Sequence, residues 1–257
     1  MTALRLTFRQ LYYSNKAFWR NPAQAGFTFV FPLMFLVIFT TLFGNAKVTV
    51  LPGVEIKQST FYVAAMSAFA VIAACYTNVA ISVSFQRDDG ILKRIRGTPL
   101  PGWSYLMGRV LHAVIIGVIL VAISGVFGRI FYGSNIPTRT MPALVVTLAI
   151  GAASFAALAL AVTAIIPNAD AAPAVVNVTI LPILFLSDIF IPVNNAPEWV
   201  GVVGAVFPVR HFSEAMQAAF FSPSGAGFEW GDLLVVGLWG LGGLILAVRF
   251  FVWEPRK

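Results

Sequence analysis

The sequence predicts an all-α integral membrane protein with six transmembrane helices, and three observations carry that prediction. Of the 257 residues, 59% are hydrophobic and 11% are charged, whereas soluble domains average about 25% charged. A soluble fold of this length has nowhere to bury so much apolar surface, so its main solvent is lipid. Long apolar runs alternate with short stretches marked by Pro, Gly and charge, and Lys and Arg fall mostly on every second connection.

Residues 2–20 read as an amphipathic helix lying on the membrane. Leu4, Phe8, Leu11, Tyr12, Phe18 and Trp19 recur at helical spacing, with Arg5, Arg9, Lys16 and Arg20 opposite them. The stretch lacks the apolar block and small-residue cleavage site of a signal peptide, so it is expected to be retained. Asn21-Pro22 ends it. Residues 26–43 make the first span, about 27 Å long at 1.5 Å per residue, against a hydrocarbon core of about 30 Å. Pro32 is placed to kink it.

A polar connection through Pro52-Gly53 leads to the second span, 61–85, whose Asn78, Ser82 and Ser84 suit interhelical hydrogen bonds. Residues 86–101 form a charged island. The third span is 106–132, with Arg109 one turn in and able to snorkel to the surface, and His112 deeper as a packing residue. In the fourth, 141–166, Ala153, Ala157 and Ala161 make a small-residue face for close helix approach. The fifth is 171–187, with Pro173 in its first turn and Pro182 further on.

The stretch 188–221 breaks the pattern. An apolar run at 199–207 is too short to cross, Pro208 stops it, and the next run carries Arg210, His211, Glu214 and Gln217. Two re-entrant half-helices dipping in from one side fit this better than two spans. The last span, 233–252, holds Gly237, Gly240, Gly242 and Gly243 for close packing.

Lys and Arg set the expected orientation. With the N-terminus inside, the inner segments hold Arg5, Arg9, Lys16, Arg20, Arg87, Lys93, Arg94, Arg96, Arg109, Arg249, Arg256 and Lys257. The outer ones hold Lys47, Lys57, Arg129, Arg139 and Arg210. The excess places both termini in the cytoplasm of a cell-membrane protein and the half-helices on the outer side.

The chain lacks the motifs of covalent chemistry. It has no phosphate-cradling Gly-rich loop ending in Lys-Ser/Thr, no HExxH, no GxSxG, and its two histidines lie far apart. Cys75 is the sole cysteine and sits in an apolar run, so neither a disulfide framework nor a Cys-based metal site is expected. No basic cluster with interleaved aromatics suggests nucleic acid. The expectation is a non-enzyme that binds no cofactor and no metal.

The island therefore stands out. Phe85–Pro101 reads FQRDDGILKRIRGTPLP, a compact charged segment between two spans. A helix of about two turns from Asp88 to Ile95 is expected, with Asp88 and Asp89 capping its start. Arg87, Asp88, Gly90, Leu92, Thr98 and Pro99 resemble the R-[DE]-x-G-T-L-x-x-L-x-x-T-P cytoplasmic loop of type 2 ABC-transporter permeases, the daunorubicin-resistance branch especially. The sequence departs at Ile91, where Thr is usual. The basic amphipathic start, the six spans and the stretch Ile191-Pro192 to Glu214-Ala215 resemble the same family, with Asp188 where many members have Gly.

The resemblance implies that the island is a coupling helix set into a separate ATP-binding cassette subunit that holds ATP and Mg. Arg87, Asp88, Asp89, Gly90, Leu92, Lys93, Arg94, Thr98 and Pro99 would be its contact set, and Arg5, Arg9, Lys16 and Arg20 would belong to an interface helix. It also implies pairing with a second permease copy or a related permease, and export of a drug-like or lipid-like compound, as in multidrug efflux. Asp188, Arg210, His211 and Glu214 are candidates for an outer gate, though Arg210 and Glu214 at i,i+4 can simply satisfy each other. Phe39, Phe69, Tyr76 and Phe185 are candidates for a substrate path. The alternatives are an ion-coupled carrier or channel that does not use ATP, and an integral membrane enzyme.

Overall fold

A computed structural model describes residues 3–43, 47–51, 54–134, 137–190, 198–222 and 225–255. Helix α1 (Ala3–Trp19) precedes α2 (Pro22–Phe43). The first span thus begins earlier than position 26. Asn21 accepts the Gln24 amide at 3.1 Å and Pro22 takes the first helical position, so the Asn-Pro pair starts one helix as it ends another. Pro32 lies inside α2, as expected.

The connection after α2 holds an antiparallel hairpin, β1 (Lys47–Leu51) with β2 (Val54–Lys57), where a plain polar connection was expected. Alternation in VTVL and VEIK is a strand period too short to register beside the long spans. Pro52-Gly53 lie outside the described residues.

The second span is one rod from Gln58 to Asp88: α3 (Gln58–Ile72), a π-helical turn at Ala73–Thr77, and α4 (Asn78–Asp88). It is the central helix. Two thirds of its most apolar stretch is buried, compared with 22% for α2 and 28% for α11 (Trp230–Phe250). The low burial of α2 and α11 puts them at the rim, with apolar surface left facing outward. Helix α5 (Ile91–Arg96) follows Gly90, whose φ of +71° lies in the left-handed region.

Helix α6 (Gly102–Tyr132) starts directly after Pro101, four residues before the expected span. Helix α7 (Met141–Val162) ends short of 166, and the chain turns through 163–165. Helix α8 (Ala172–Phe185) has 14 residues, about 21 Å at 1.5 Å per residue. Among the described residues, five helices are therefore long and apolar enough to cross a bilayer, while the expected span at 171–187 is a shorter apolar helix.

After it come α9 (Glu198–Gly204) and α10 (Pro208–Phe221), two short helices broken at 205–207 as the sequence suggested. Residues 191–197, part of the stretch used for the family resemblance, lie outside the described residues. Helix α11 begins before position 233 and closes the bundle against α7. A Cβ on Gly240 would come 2.8 Å from Ser154 Cα, and one on Gly243 2.9 Å from the Leu158 amide nitrogen. Gly237 and Gly242 face open space, so two of the four expected packing glycines set the approach.

Candidate functional site

The island forms from two pieces of opposite character. Asp88 and Asp89 were expected to start its helix. Instead α4 runs through Asp88, Asp89 is its C-cap, Gly90 turns the chain, and α5 begins at Ile91 without a side-chain cap. Gly90 decides this, because a left-handed residue ends one helix before the next can begin.

Arg87 is 1% exposed. Its Nη1 donates to the Thr163 carbonyl at 3.0 Å and its Nη2 to the Ile166 carbonyl at 2.9 Å, while Nε faces Asp88 Oδ1 at 3.3 Å. Asp88 Oδ2 in turn accepts the Ala169 amide at 2.5 Å. The pair thus binds the foot of the central rod to the turn joining α7 and α8. Leu92 is fully buried, fixing α5 to the same base. Asp89, Lys93, Arg94, Thr98 and Pro99 face outward. Thr98 closes the segment by donating to the Ile95 carbonyl at 2.6 Å. The nine-residue set drawn from sequence therefore divides into a buried anchor and an exposed charged face. The distinction rests on backbone carbonyls 76 and 79 positions away from Arg87, which no local pattern reveals.

Beside the island lies α1, with Arg5, Arg9, Lys16 and Arg20 all exposed. Its inward residues are Thr7, Ser14 and Phe18, while Leu4, Phe8, Tyr12 and Trp19 are exposed. Only part of the expected apolar stripe touches protein; the rest is free for the lipid interface. The helix crosses α6 at Gly108, where a Cβ would sit 2.7 Å from Gln10 Cγ.

The candidate path residues separate. Phe39, Phe69 and Phe185 line an apolar groove of about 620 Å³ between α2, the central rod and α8. Phe190, which the sequence reading missed, completes it, 5.3 Å from both Phe69 and Phe185 by ring centroid. Tyr76 is not in this groove. Its hydroxyl bonds Thr179 Oγ1 at 2.8 Å, and it lines a second apolar hollow beside α7, α8 and α11. Tyr76 lies within the π turn, where the rod's register shifts, and so lines a different hollow from Phe69.

At the opposite end, the gate candidates form a closed ion-pair network. Arg210 Nε donates to Glu214 Oε1 at 2.7 Å and Nη1 to the Gly201 carbonyl at 2.8 Å, holding α9 against α10. His211 Nδ1 lies 2.7 Å from Asp232 Oδ1 and Nε2 lies 2.8 Å from the Ala205 carbonyl. Both ring nitrogens face acceptors, the arrangement that suits an imidazolium. Burial opposes that charge, but the hydrogen bonds to Asp232 and Ala205 and the charges of Asp232 and Glu214 outweigh it, so His211 titrates above its ordinary value. Asp232 was not singled out from sequence; it falls in the first turn of the last span. His211, Glu214 and Asp232 bring their ligand atoms within 4.8 Å of one another, but Arg210 and the ring contacts already occupy them. Asp188 sits close enough to Arg210 to stabilise its charge, and its backbone has φ of +30°, in the left-handed region.

A bundle of membrane-length helices with a braced, charged loop at one end defines a multi-pass membrane protein. The chain belongs to the ABC-2 type transporter family, whose model matches residues 6–221. It is similar to the daunorubicin resistance ABC transporter permease protein DrrB1 of Streptomyces coeruleorubidus, 25% identical over 235 residues, covering 87% of this chain and 78% of that protein. It is also similar to ycf38 of Porphyra purpurea, provisionally named a transport permease, at 26% over 229 residues, covering 84% of this chain and 76% of the relative. A third relative is YbhR of Escherichia coli (strain K12), provisionally named a multidrug ABC transporter permease. It is 24% identical over 155 residues, covering 60% of this chain and 42% of the relative.

Proposed function

We propose that the chain is the membrane subunit of an ATP-driven exporter for a hydrophobic or amphipathic compound, with ATP and Mg bound on a separate ATP-binding subunit. The observation that carries this reading is the two-part island. Its exposed face (Asp89, Lys93, Arg94, Thr98, Pro99) is available to a partner, while Arg87, Asp88 and Leu92 tie it to the central rod and to the α7–α8 turn. A push on α5 is then delivered to three helices at once, which a loop anchored only at its ends could not do. The names of DrrB1 and YbhR support a drug-like cargo.

The aromatic groove suits such a cargo. It is apolar, lies along the rim helix α2, and has Asn78 and Asn177 as polar points. A second permease copy packed along α2 would enclose it, giving a path between two chains. Both termini and the island would lie in the cytoplasm. An ion-coupled carrier would need buried carboxylates along the spans, and among the described residues the buried ionisable polar side chains are Arg87, Arg109 and His112.

The test uses a chain in which Cys75 is replaced by Ala, removing the sole cysteine, and Arg94→Cys is introduced on α5. An impermeant maleimide should label it only after the cytoplasmic face is exposed, and co-expressed ATP-binding subunit should protect it. Labelling from the outside of intact cells would overturn the reading, because no cytoplasmic motor could then reach α5. With the partner present, Arg94→Glu, on the exposed face of α5, should abolish permease-dependent ATP hydrolysis without loss of the folded protein.

A further inference from the structure

Beneath α1, on the side of the central rod that Asn78 shares with the aromatic groove and close to the foot of the island at Gln86, lies a polar cavity of about 110 Å³ walled by α1, α2, the C-terminal half of the central rod and α6. Arg109 and His112 line it, each more than nine-tenths buried. The sequence suggested that Arg109 snorkels out and that His112 packs. Instead the guanidinium stays inside, donating from Nη2 to Ser82 Oγ, with Nε lacking any partner. His112 stands against Phe18 with Nδ1 also unpartnered.

The rest of the polar wall is neutral: Ser14, Asn21, Gln24, Asn78 and Gln86. The cavity contains no Asp or Glu, and among the described residues Arg109 makes no ion pair. A guanidinium is always charged, and one serine hydroxyl does not neutralise it. A buried cation with an unpartnered N–H, together with several amides and, on the same cavity wall, a ring nitrogen that donates when it carries the imidazole proton, has the donor set of an oxyanion site.

We propose that this cavity binds a phosphate-class oxyanion on Arg109 and His112. Its volume equals that of about four waters at roughly 30 Å³ each, enough for one tetrahedral oxyanion but not for a nucleotide. A wider groove of about 410 Å³ shares Asn21, Gln24, Asn78, Ser82 and Gln86 with it and gives it an opening, with Asp89 at the outer edge. The roof is α1, whose exposed Leu4, Phe8 and Trp19 place the site at headgroup depth. The phosphate can therefore come from a lipid headgroup or from free phosphate. The inference rests on the membrane placement and not on coupling to an ATPase.

The test is ligand-dependent thermal stability of the purified full chain. One arm titrates inorganic phosphate against chloride at equal ionic strength. The other compares nanodiscs of dioleoylphosphatidylglycerol with nanodiscs of digalactosyldiacylglycerol, which has no phosphate. A ligand that binds only the folded state raises Tm in a saturable way. Wild type should show such a rise in at least one arm, and the responding arm identifies the source. Arg109→Gln should lose the response, and His112→Asn should weaken the midpoint several-fold. Arg129→Gln, at the far end of α6, should keep it. If Arg109→Gln does not fold, His112→Asn decides. No rise in either arm, or an equal rise in wild type and the cavity variants, would overturn the proposal.

Discussion

Replacing Arg87 with Met keeps most of the apolar stem and removes the guanidinium. Two charge-assisted bonds to the Thr163 and Ile166 carbonyls disappear, as does the partner of Asp88. Bonds involving a charged group contribute about 1.5–3 kcal/mol each, and the carbonyls are left in a buried place without donors. Because Asp88 is 24% exposed, its own loss is softened by water. The expected cost is about 4 kcal/mol. Arg87→Lys should recover about half, since one ammonium cannot bridge two carbonyls as a planar fork does. The assay is unfolding by sodium dodecyl sulfate titration in mixed micelles, with protease cleavage between α7 and α8 as a local readout. Lys93→Ala and Arg94→Ala, both exposed, should stay within about 0.5 kcal/mol of wild type. If Arg87→Met is equally mild, or if Lys replaces Arg at no cost, Arg87 is not the anchor described above.

Gly240→Leu should destabilise by about 1–3 kcal/mol or prevent assembly of α11 on α7, because its first carbon meets Ser154 backbone, whereas Gly242→Leu should be neutral in the same titration. Raised titration of His211 makes its contribution to stability complete below the ordinary value of 6.5 and lost as pH rises through the higher folded value. Wild type should therefore lose Tm as pH rises above about 6.5, and His211→Gln should flatten that slope; an unchanged slope would remove His211 as the cause. Phe69→Ala, in the aromatic groove, should weaken binding of a fluorescent apolar dye at least several-fold while Tyr76→Phe, outside it, leaves dye binding unchanged.

Much of the bundle was legible before any coordinates. Its boundaries were less so: the rod runs to Asp88 where the span was expected to stop at 85, Gly90 breaks the helix expected from Asp88 to Ile95, and α6 begins at Gly102, four residues before the expected span. The π turn at Ala73–Thr77 was not legible: ordinary small and aromatic residues give no signal for one extra residue per turn. Arg109 reads as a snorkelling side chain, yet α1 lies across its exit at Gly108. His211 showed no special partner until the first turn of α11 brought Asp232 beside it.

By itself the sequence determined which stretches are long and apolar and which loop carries charge, because hydropathy acts over a few residues. Tertiary structure alone decided which of those charges point outward and which lock helices together. Arg87 depends on carbonyls more than seventy residues away, and the aromatic groove depends on three helices meeting. Such partners are chosen by packing in space, where distance along the chain carries no information.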